Sequence, residues 1–431
     1  MQLNNNPLAQ LFSYPHPITL ESGTILPSFH LAYTTHGKLN AAGDNVVWVF
    51  HALTANSDPA QWWPGLVGEG RLFDPSSYFI VCVNMPGSHY GSISPLDSDP
   101  LSGEPYYHDF PFFTPRDMIT AYRPLREFLG IRTIHIGIGG SMGGQQLLEW
   151  AIEEPELFSY IFPIATNARH SSWGIAFNTA QRMAIEADAT WKERHPSAGT
   201  AGMKAARATA LLSYRHYDTY AQTQPRPEDF VTEEGPSTQK SSPGQILREA
   251  GLPEQRLSES APSVGGPTST QQSPGEPGLP EPRLSRPDHP VGGPTSSPEN
   301  PASYQRYQGD KLARRFSAFN YYTLSLSMDA HDVGRGRGGV ETALQRIRAH
   351  TLVIGIETDL LFPLPEQRSL ASMIPGAAFQ TIYSLYGHDG FLLEFEQIGQ
   401  LINHFLITTT PTHARHRVLP GAKRSAKNIN N

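Results

Sequence analysis

The residues with the clearest chemical potential lie between Thr133 and Pro155, in TIHIGIGGSMGGQQLLEWAIEEP. An apolar, β-branched run leads into Gly139-Gly140-Ser141-Met142-Gly143, and helical composition follows. A G-x-S-x-G between a strand and a helix is the arrangement that raises a serine as a nucleophile. The reason is steric: a serine at the tip of a tight, strained turn needs neighbours without a Cβ, so that strand and helix can close on each other. Its Oγ then stands above the positive end of the helix.

A serine nucleophile needs a base, and the base needs an orienting carboxylate. Both are expected after the serine, acid first and histidine second. The apolar run Thr351–Ile356 reads as a buried strand, and Glu357 and Asp359 follow it. Active sites of open α/β sheets lie beyond the carboxyl ends of strands. Asp359, further out before Phe362-Pro363, is preferred to Glu357 as the orienting acid. Tyr386-Gly387-His388-Asp389-Gly390 supplies the histidine, in a glycine-flanked loop suited to close approach. His388 gains its weight from order, since Ser141 and Asp359 precede it. An oxyanion needs two N–H donors, each worth about 3 kcal/mol in the transition state. Met142, the residue after the serine, and Leu53, in the loop after the apolar run Val46–Phe50, are the candidates.

The elements that must position these groups follow an α/β rhythm. Apolar runs at Val46–Phe50, Phe79–Asn84, Thr133–Ile138 and Ile161–Ile164 alternate with helical stretches, which predicts a mostly parallel, doubly wound sheet. From Asn167 strands give way to helical composition, predicting a helical cap inserted in the sheet domain. The expected organisation is a core over 1–166 and 335–411, a cap over 167–334, and a flexible basic tail over 412–431. Residues 236–300 hold 13 Pro, 11 Ser and 8 Gly without one aromatic residue, so they cannot bury enough apolar surface to offset ordering. Two short internal duplications, GLPE and VGGPTS, recur there 27 residues apart, too few for a solenoid. A disordered insertion within the cap is expected. Gly334–Gly339, GRGRGG, formally contains G-x-G-x-x-G, but it follows no clear strand, so a dinucleotide site is rejected. Its arginines suit a positive surface or tight packing equally.

Composition narrows the classes further. Net charge is −7 with both signs dispersed, so no basic face argues for nucleic acid. Cys82, in an apolar run, reads as a small core residue, and being the one cysteine it excludes an intramolecular disulfide and a multi-cysteine metal site. No apolar run approaches the roughly 20 residues of a membrane helix, and no leader is read in MQLNNNPLAQLF. A cytoplasmic enzyme with no bound metal is expected.

Several segments together resemble the homoserine O-acetyltransferase family of the α/β-hydrolase fold. They are HALTANS at 51–57, NMPGSHYGSISP at 84–95, HDFPFFTPRDM at 108–118 and GGSMGGQQLLEWA at 139–151. PIATNARHSSWGIAFNTAQRMAI at 163–185, YQRYQGDKLARRF at 304–316, HDVGRGRGG at 331–339 and YGHDGFLLE at 386–394 complete the set, which spans nearly the whole chain apart from 236–300 and the tail. The resemblance implies Ser141 as nucleophile, His388 as general base and acid, Asp359 as orienting carboxylate, and Leu53 and Met142 as oxyanion donors. It implies that Arg207, with Tyr214, meets the substrate carboxylate and that Asp389 receives the ammonium. It further implies ping-pong transfer from acetyl-CoA to L-homoserine in methionine biosynthesis, no permanently bound cofactor, and a homodimer formed through cap helices. Succinyl-CoA as donor, serine as acceptor, plain ester hydrolysis and a silent binding module are the competing readings. The intact Ser-Asp-His order argues against the last.

Overall fold

The computed structural model describes residues 8–223 and 301–409. The insertion expected at 236–300 and the tail expected at 412–431 lie outside the described residues. Eight strands form one sheet in the spatial order β1 (Gln10–Tyr14), β4 (Phe29–His36), β6 (Phe79–Val83), β5 (Val46–Phe50), β7 (Ile134–Gly140), β8 (Phe158–Ile164), β9 (His350–Ile356) and β10 (Ala378–Ile382). β4 is antiparallel to both its neighbours, and every pairing from β6 to β10 is parallel. β2 (Ile18–Thr19) and β3 (Ile25–Leu26) form a separate short pair.

The central strands are uniformly apolar because both faces of the sheet are covered. Period-2 alternation sends Val46, Trp48 and Phe50 to one core and Val47 and Val49 to the other. On the first face Trp48 meets Trp150 edge-on, ring centroids 4.9 Å apart, which docks α3 (Met142–Glu153) on β5. After the short α1 (Pro59–Trp62), α2 (Pro115–Phe128) joins that face through Met118, Tyr122 and Leu125. The helix Phe395–Thr409 covers the other face with Ile398, Ile402 and Leu406. Cys82 is fully buried in the second core, as the apolar run predicted.

Between β8 and β9 the described residues hold no strand. Helices α4 (Ser172–Glu186), α5 (Thr200–Tyr214), α6 (Tyr217–Thr223), α7 (Pro301–Ala313) and α8 (Ala318–Asp329) occupy that stretch. α5 packs tightly on α7 because Gly309 lacks a side chain: a Cβ there would lie 2.8 Å from the Lys204 carbonyl oxygen. The two arginines of Gly334–Gly339 are both paired with carboxylates, the Arg337 side chain buried and Arg335 exposed. Arg337, 6% exposed, donates to Glu149 at 2.7 Å and to Glu153, while Arg335 and Arg116 each reach Glu21 at 2.7 Å. Arg116 also contacts Glu149 at 3.2 Å. Glu149 is 1% exposed, and burial raises its pKa against the pull of the two arginines.

The predicted strands are present with shifted ends: β7 extends to Gly140 and β8 begins at Phe158. β1 and β4 have no counterpart in the sequence reading. In β4, FHLAYTTH, polar side chains find internal partners, Thr34 with Ser57 at 3.0 Å and His36 with Asp58 at 3.3 Å, so a buried strand carries a weak apolar pattern.

Candidate active site

The register of the sheet sets the site. Phe50 at the end of β5 pairs with Gly139 on β7, so the loop after β5 and the turn after β7 emerge side by side. Ser141 occupies that turn with φ 57° and ψ −126°, a conformation that side-chain-bearing residues rarely adopt. Its surroundings hold it there. Its N–H donates to Ile164 O at 3.0 Å, and its carbonyl accepts from Gly144 N at 2.9 Å and Thr166 Oγ1 at 2.8 Å. The glycines around it are close-approach positions. A Cβ on Gly143 would sit 2.2 Å from Phe50 O, and one on Gly139 2.6 Å from the Gly143 carbonyl.

Asp359 and His388 converge on this serine from the far end of the sheet. Asp359 lies in the loop after β9, and its Oδ1 accepts from the N–H groups of Leu361 and Phe362, both at 2.8 Å. Its Oδ2 is 2.7 Å from His388 Nδ1, and His388 Nε2 is 2.9 Å from Ser141 Oγ. A carboxylate can only accept, so the His388 proton sits on Nδ1 and Nε2 is free to accept from the serine hydroxyl. Ser141, Asp359 and His388 are 5%, 4% and 3% exposed. The imidazole stacks on Phe362, centroids 5.1 Å apart, and Tyr214 and Phe391 flank it. Glu357, the acid not preferred, is exposed and accepts from Thr381 Oγ1 at 3.3 Å. Trp63 Nε1 donates to Phe391 O at 2.8 Å, which ties the turn Gly387–Leu392 that carries His388 to the core.

Met142 begins α3 and is fully buried; Leu53 is 6% exposed in the loop after β5. Arg207, on α5, places its guanidinium 5.3 Å from the Tyr214 ring, and that ring is 5.7 Å from His388. Burial raises the Tyr214 hydroxyl pKa, with the Arg207 charge pulling the other way. Asp389 has a protein partner that the sequence reading did not assign: Arg215 Nε stands 3.5 Å from its Oδ2. Arg215 also lies over the rings of Tyr304 and Tyr386. Arg215 was visible only as the neighbour of Tyr214, with no signal of its own.

A second set of residues, most of them within the matched segments, has no role in the sequence reading. Gln145, one turn past Ser141, donates to Asn167 Oδ1 at 3.2 Å, and Asn167 donates to Glu366 at 2.9 Å. Asn178 bridges His170, at 3.2 Å, and Asp329, at 2.8 Å, while Arg182 donates to Asp329 at 2.6 Å. With Gln145 Nε2 also 3.5 Å from His170 Nδ1, polar links join α3 to α4, α8 and the helix Leu364–Met373. Burial lowers His170 to about 4 and His331 to about 3, so both are neutral. No group of metal-ligating side chains occurs among the described residues.

This architecture is that of the α/β hydrolases, and residues 45–244 match the α/β-hydrolase fold family. The homoserine O-acetyltransferase of Bacillus anthracis superposes with a TM-score of 0.70 over 93% of this chain and 98% of its own, at 19% identity. An acetylester hydrolase from Corynebacterium glutamicum superposes as well, with 0.69 over 93% and 96% at 21% identity, so these likenesses define the fold alone. Sequence separates them: the homoserine O-acetyltransferase of Cyclobacterium marinum is 41% identical over 398 residues, 92% of this chain and 95% of that protein. The chain belongs to the homoserine O-acetyltransferase family and is an acyltransferase.

Proposed function

We propose that the protein transfers the acetyl group of acetyl-CoA to the γ-hydroxyl of L-homoserine through an acetyl ester on Ser141, a step of methionine biosynthesis. The single observation that carries the chemistry is the 2.9 Å approach of His388 Nε2 to Ser141 Oγ with Asp359 2.7 Å behind the ring. His388 takes the serine proton as Oγ attacks the thioester carbonyl, and the oxyanion forms against the N–H groups of Met142 and Leu53. Collapse breaks the C–S bond, and His388 returns its proton to the departing CoA thiolate. Homoserine then enters, His388 deprotonates its hydroxyl, and attack on the acetyl carbonyl releases O-acetyl-homoserine and free Ser141. No cofactor is needed, because both half-reactions are acyl transfers to oxygen.

Recognition of homoserine rests on Arg207 for its carboxylate, Tyr214 beside it, and Asp389 for its ammonium. The Arg215–Asp389 pair must then open or be shared when the ammonium arrives. Water competes with the acceptor at about 55 M, so a buried serine and an oriented amino acid favour transfer over hydrolysis. A homodimer through the cap is supported by α4, whose outer face presents Trp173, Ala176, Ala180 and Met183 to solvent. The acyl-CoA and amino-acid substrates suit a cytoplasmic enzyme.

The test is thiol release from acetyl-CoA and from succinyl-CoA, each with and without L-homoserine or L-serine, followed by intact mass. Homoserine-dependent release favouring acetyl-CoA, with one acetyl on Ser141, is the expected result. Release independent of an acceptor would make the protein a hydrolase, and preference for succinyl-CoA or serine would move it to another acyl transfer. No release and no adduct would overturn the reading.

A further inference from the structure

His51 is fully buried and lies one residue past β5, yet the chemistry above does not use it. Its Nε2 is 3.0 Å from the backbone N of Met85, and its Nδ1 is 2.8 Å from Ala52 O. A backbone N–H can only donate, so Nε2 is the acceptor and the proton sits on Nδ1, where it donates to the carbonyl. Both ring nitrogens are thereby spent on main chain, and burial lowers the pKa to about 4, so the ring stays neutral.

The carbonyl that His51 grips belongs to a particular peptide. Ala52 C=O and Leu53 N–H are two ends of one planar trans unit, pointing to opposite sides. Ala52 O also accepts from Ala55 N at 3.0 Å, closing a turn over Ala52–Ala55. In such a turn the first central N–H, that of Leu53, is left uncommitted. Two donors on one carbonyl polarise the peptide and strengthen its N–H as a donor. The Phe50-His51 main chain also packs against Gly143, so the first donor loop and the helix bearing the second are in direct register.

We propose that His51 is a positioning residue for the oxyanion hole: one neutral tautomer of its imidazole holds the Ala52–Leu53 peptide so that the Leu53 N–H faces the acyl adduct of Ser141. The proposal rests on the reading that Ser141 is acylated and Leu53 stabilises the oxyanion. It makes the two polar near-isosteres unequal. His51→Asn can place an amide N–H near the Nδ1 position and keep the bond to Ala52 O. His51→Gln can place its carbonyl near the Nε2 position and keep the bond to Met85 N–H.

The experiment follows the acetyl-enzyme burst with p-nitrophenyl acetate, which needs neither CoA nor homoserine, alongside thermal melting of each variant. Loss of an entire oxyanion donor lowers kcat by about 10²–10³-fold, so a misdirected donor in His51→Gln should slow acylation roughly 10–100-fold at unchanged ester affinity. His51→Asn should stay within a few-fold of wild type. Equal rates in the two variants, or a loss that tracks melting temperature alone, would reduce His51 to a structural strand clamp. Nitrogen NMR of the wild-type protein gives a second reading that needs no variant. A neutral ring protonated at Nδ1 from pH 5 to 9 is expected, and a proton on Nε2 would overturn the proposal. If wild-type Ser141 takes no acetyl group, the functional reading itself fails; if it is acetylated and His51→Gln is unimpaired, only the role of His51 does.

Discussion

Asp359 does two things at once, and a single atom separates them. Oδ1 holds the loop through Leu361 and Phe362, whereas Oδ2 faces the imidazole. Asp359→Asn would keep the loop bonds but present an amide N–H to His388 Nδ1. The ring would then carry its proton on Nε2, pointing at the serine, and could no longer act as base. Single-turnover acylation should fall about 10³–10⁴-fold with little change in melting temperature; a variant at wild-type rate would remove Asp359 from the mechanism. At Arg207 the expected split is different. Arg207→Ala should lower transfer to homoserine by about 10²-fold or more while raising hydrolysis of acetyl-CoA, because an unheld acceptor yields to water. Lost transfer with unchanged hydrolysis would count against water exclusion by the cap. Ser141, Asp359 and His388 were readable in sequence because each has a positional signature: glycines beside the serine, an acid past a strand, a histidine between glycines. Arg215 had none, since its partner Asp389 lies far along the chain and only folding brings them to 3.5 Å.

The elements that were legible are those whose environment is uniform. β5 and β9 are buried on both faces and read as unbroken apolar runs, so their limits follow from composition. β4 was illegible because its buried Thr34 is hydrogen-bonded by Ser57 and its half-buried His36 faces Asp58, both from another loop, a fact no local window contains. The GRGRGG segment left surface and packing as equal options, and the structure divides them: Arg337 is packed against carboxylates on α3, while Arg335 stays exposed and pairs with Glu21. A prediction at this scale follows from Glu149. It is shielded from water and shared between Arg116 and Arg337. Arg337→Ala would leave that carboxylate half-compensated, and breaking a buried pair costs about 3–5 kcal/mol. Urea unfolding should show a loss of up to that size, whereas a change below ~1 kcal/mol would mean the network is solvated.

At the scale of the whole molecule, three neutral buried histidines link stability to pH. Burial holds His51 and His170 at about 4 and His331 at about 3, while a histidine in the unfolded chain titrates near 6.5. Between these limits the unfolded chain binds protons that the fold excludes, so stability rises with pH and falls as pH drops below about 6.5. The slope approaches three protons, ~4 kcal/mol per pH unit at its steepest. Asp117, Glu149 and Asp329, raised chiefly by burial, oppose this nearer the ordinary carboxylate range. The urea midpoint should therefore decline from pH 7 to pH 5, and a flat profile would mean that these histidines are protonated in the fold.

The strand order also has a consequence in time. β8 pairs with β9 along Tyr160–His350 to Ile164–Ile354, yet roughly 185 residues separate the end of one from the start of the other. At about 5–20 residues per second, a ribosome needs on the order of 10–40 seconds to deliver the partner. For that interval the nascent chain carries FSYIFPI as an open, apolar strand edge beside the finished turn that holds Ser141, a template for pairing with another chain. Chains released after residue 223 should therefore aggregate or stay bound to chaperones, and adding residues 301–409 in trans should recover soluble protein if the missing edge is the cause. A soluble, monomeric 1–223 fragment would show that the edge is protected during synthesis by something other than β9.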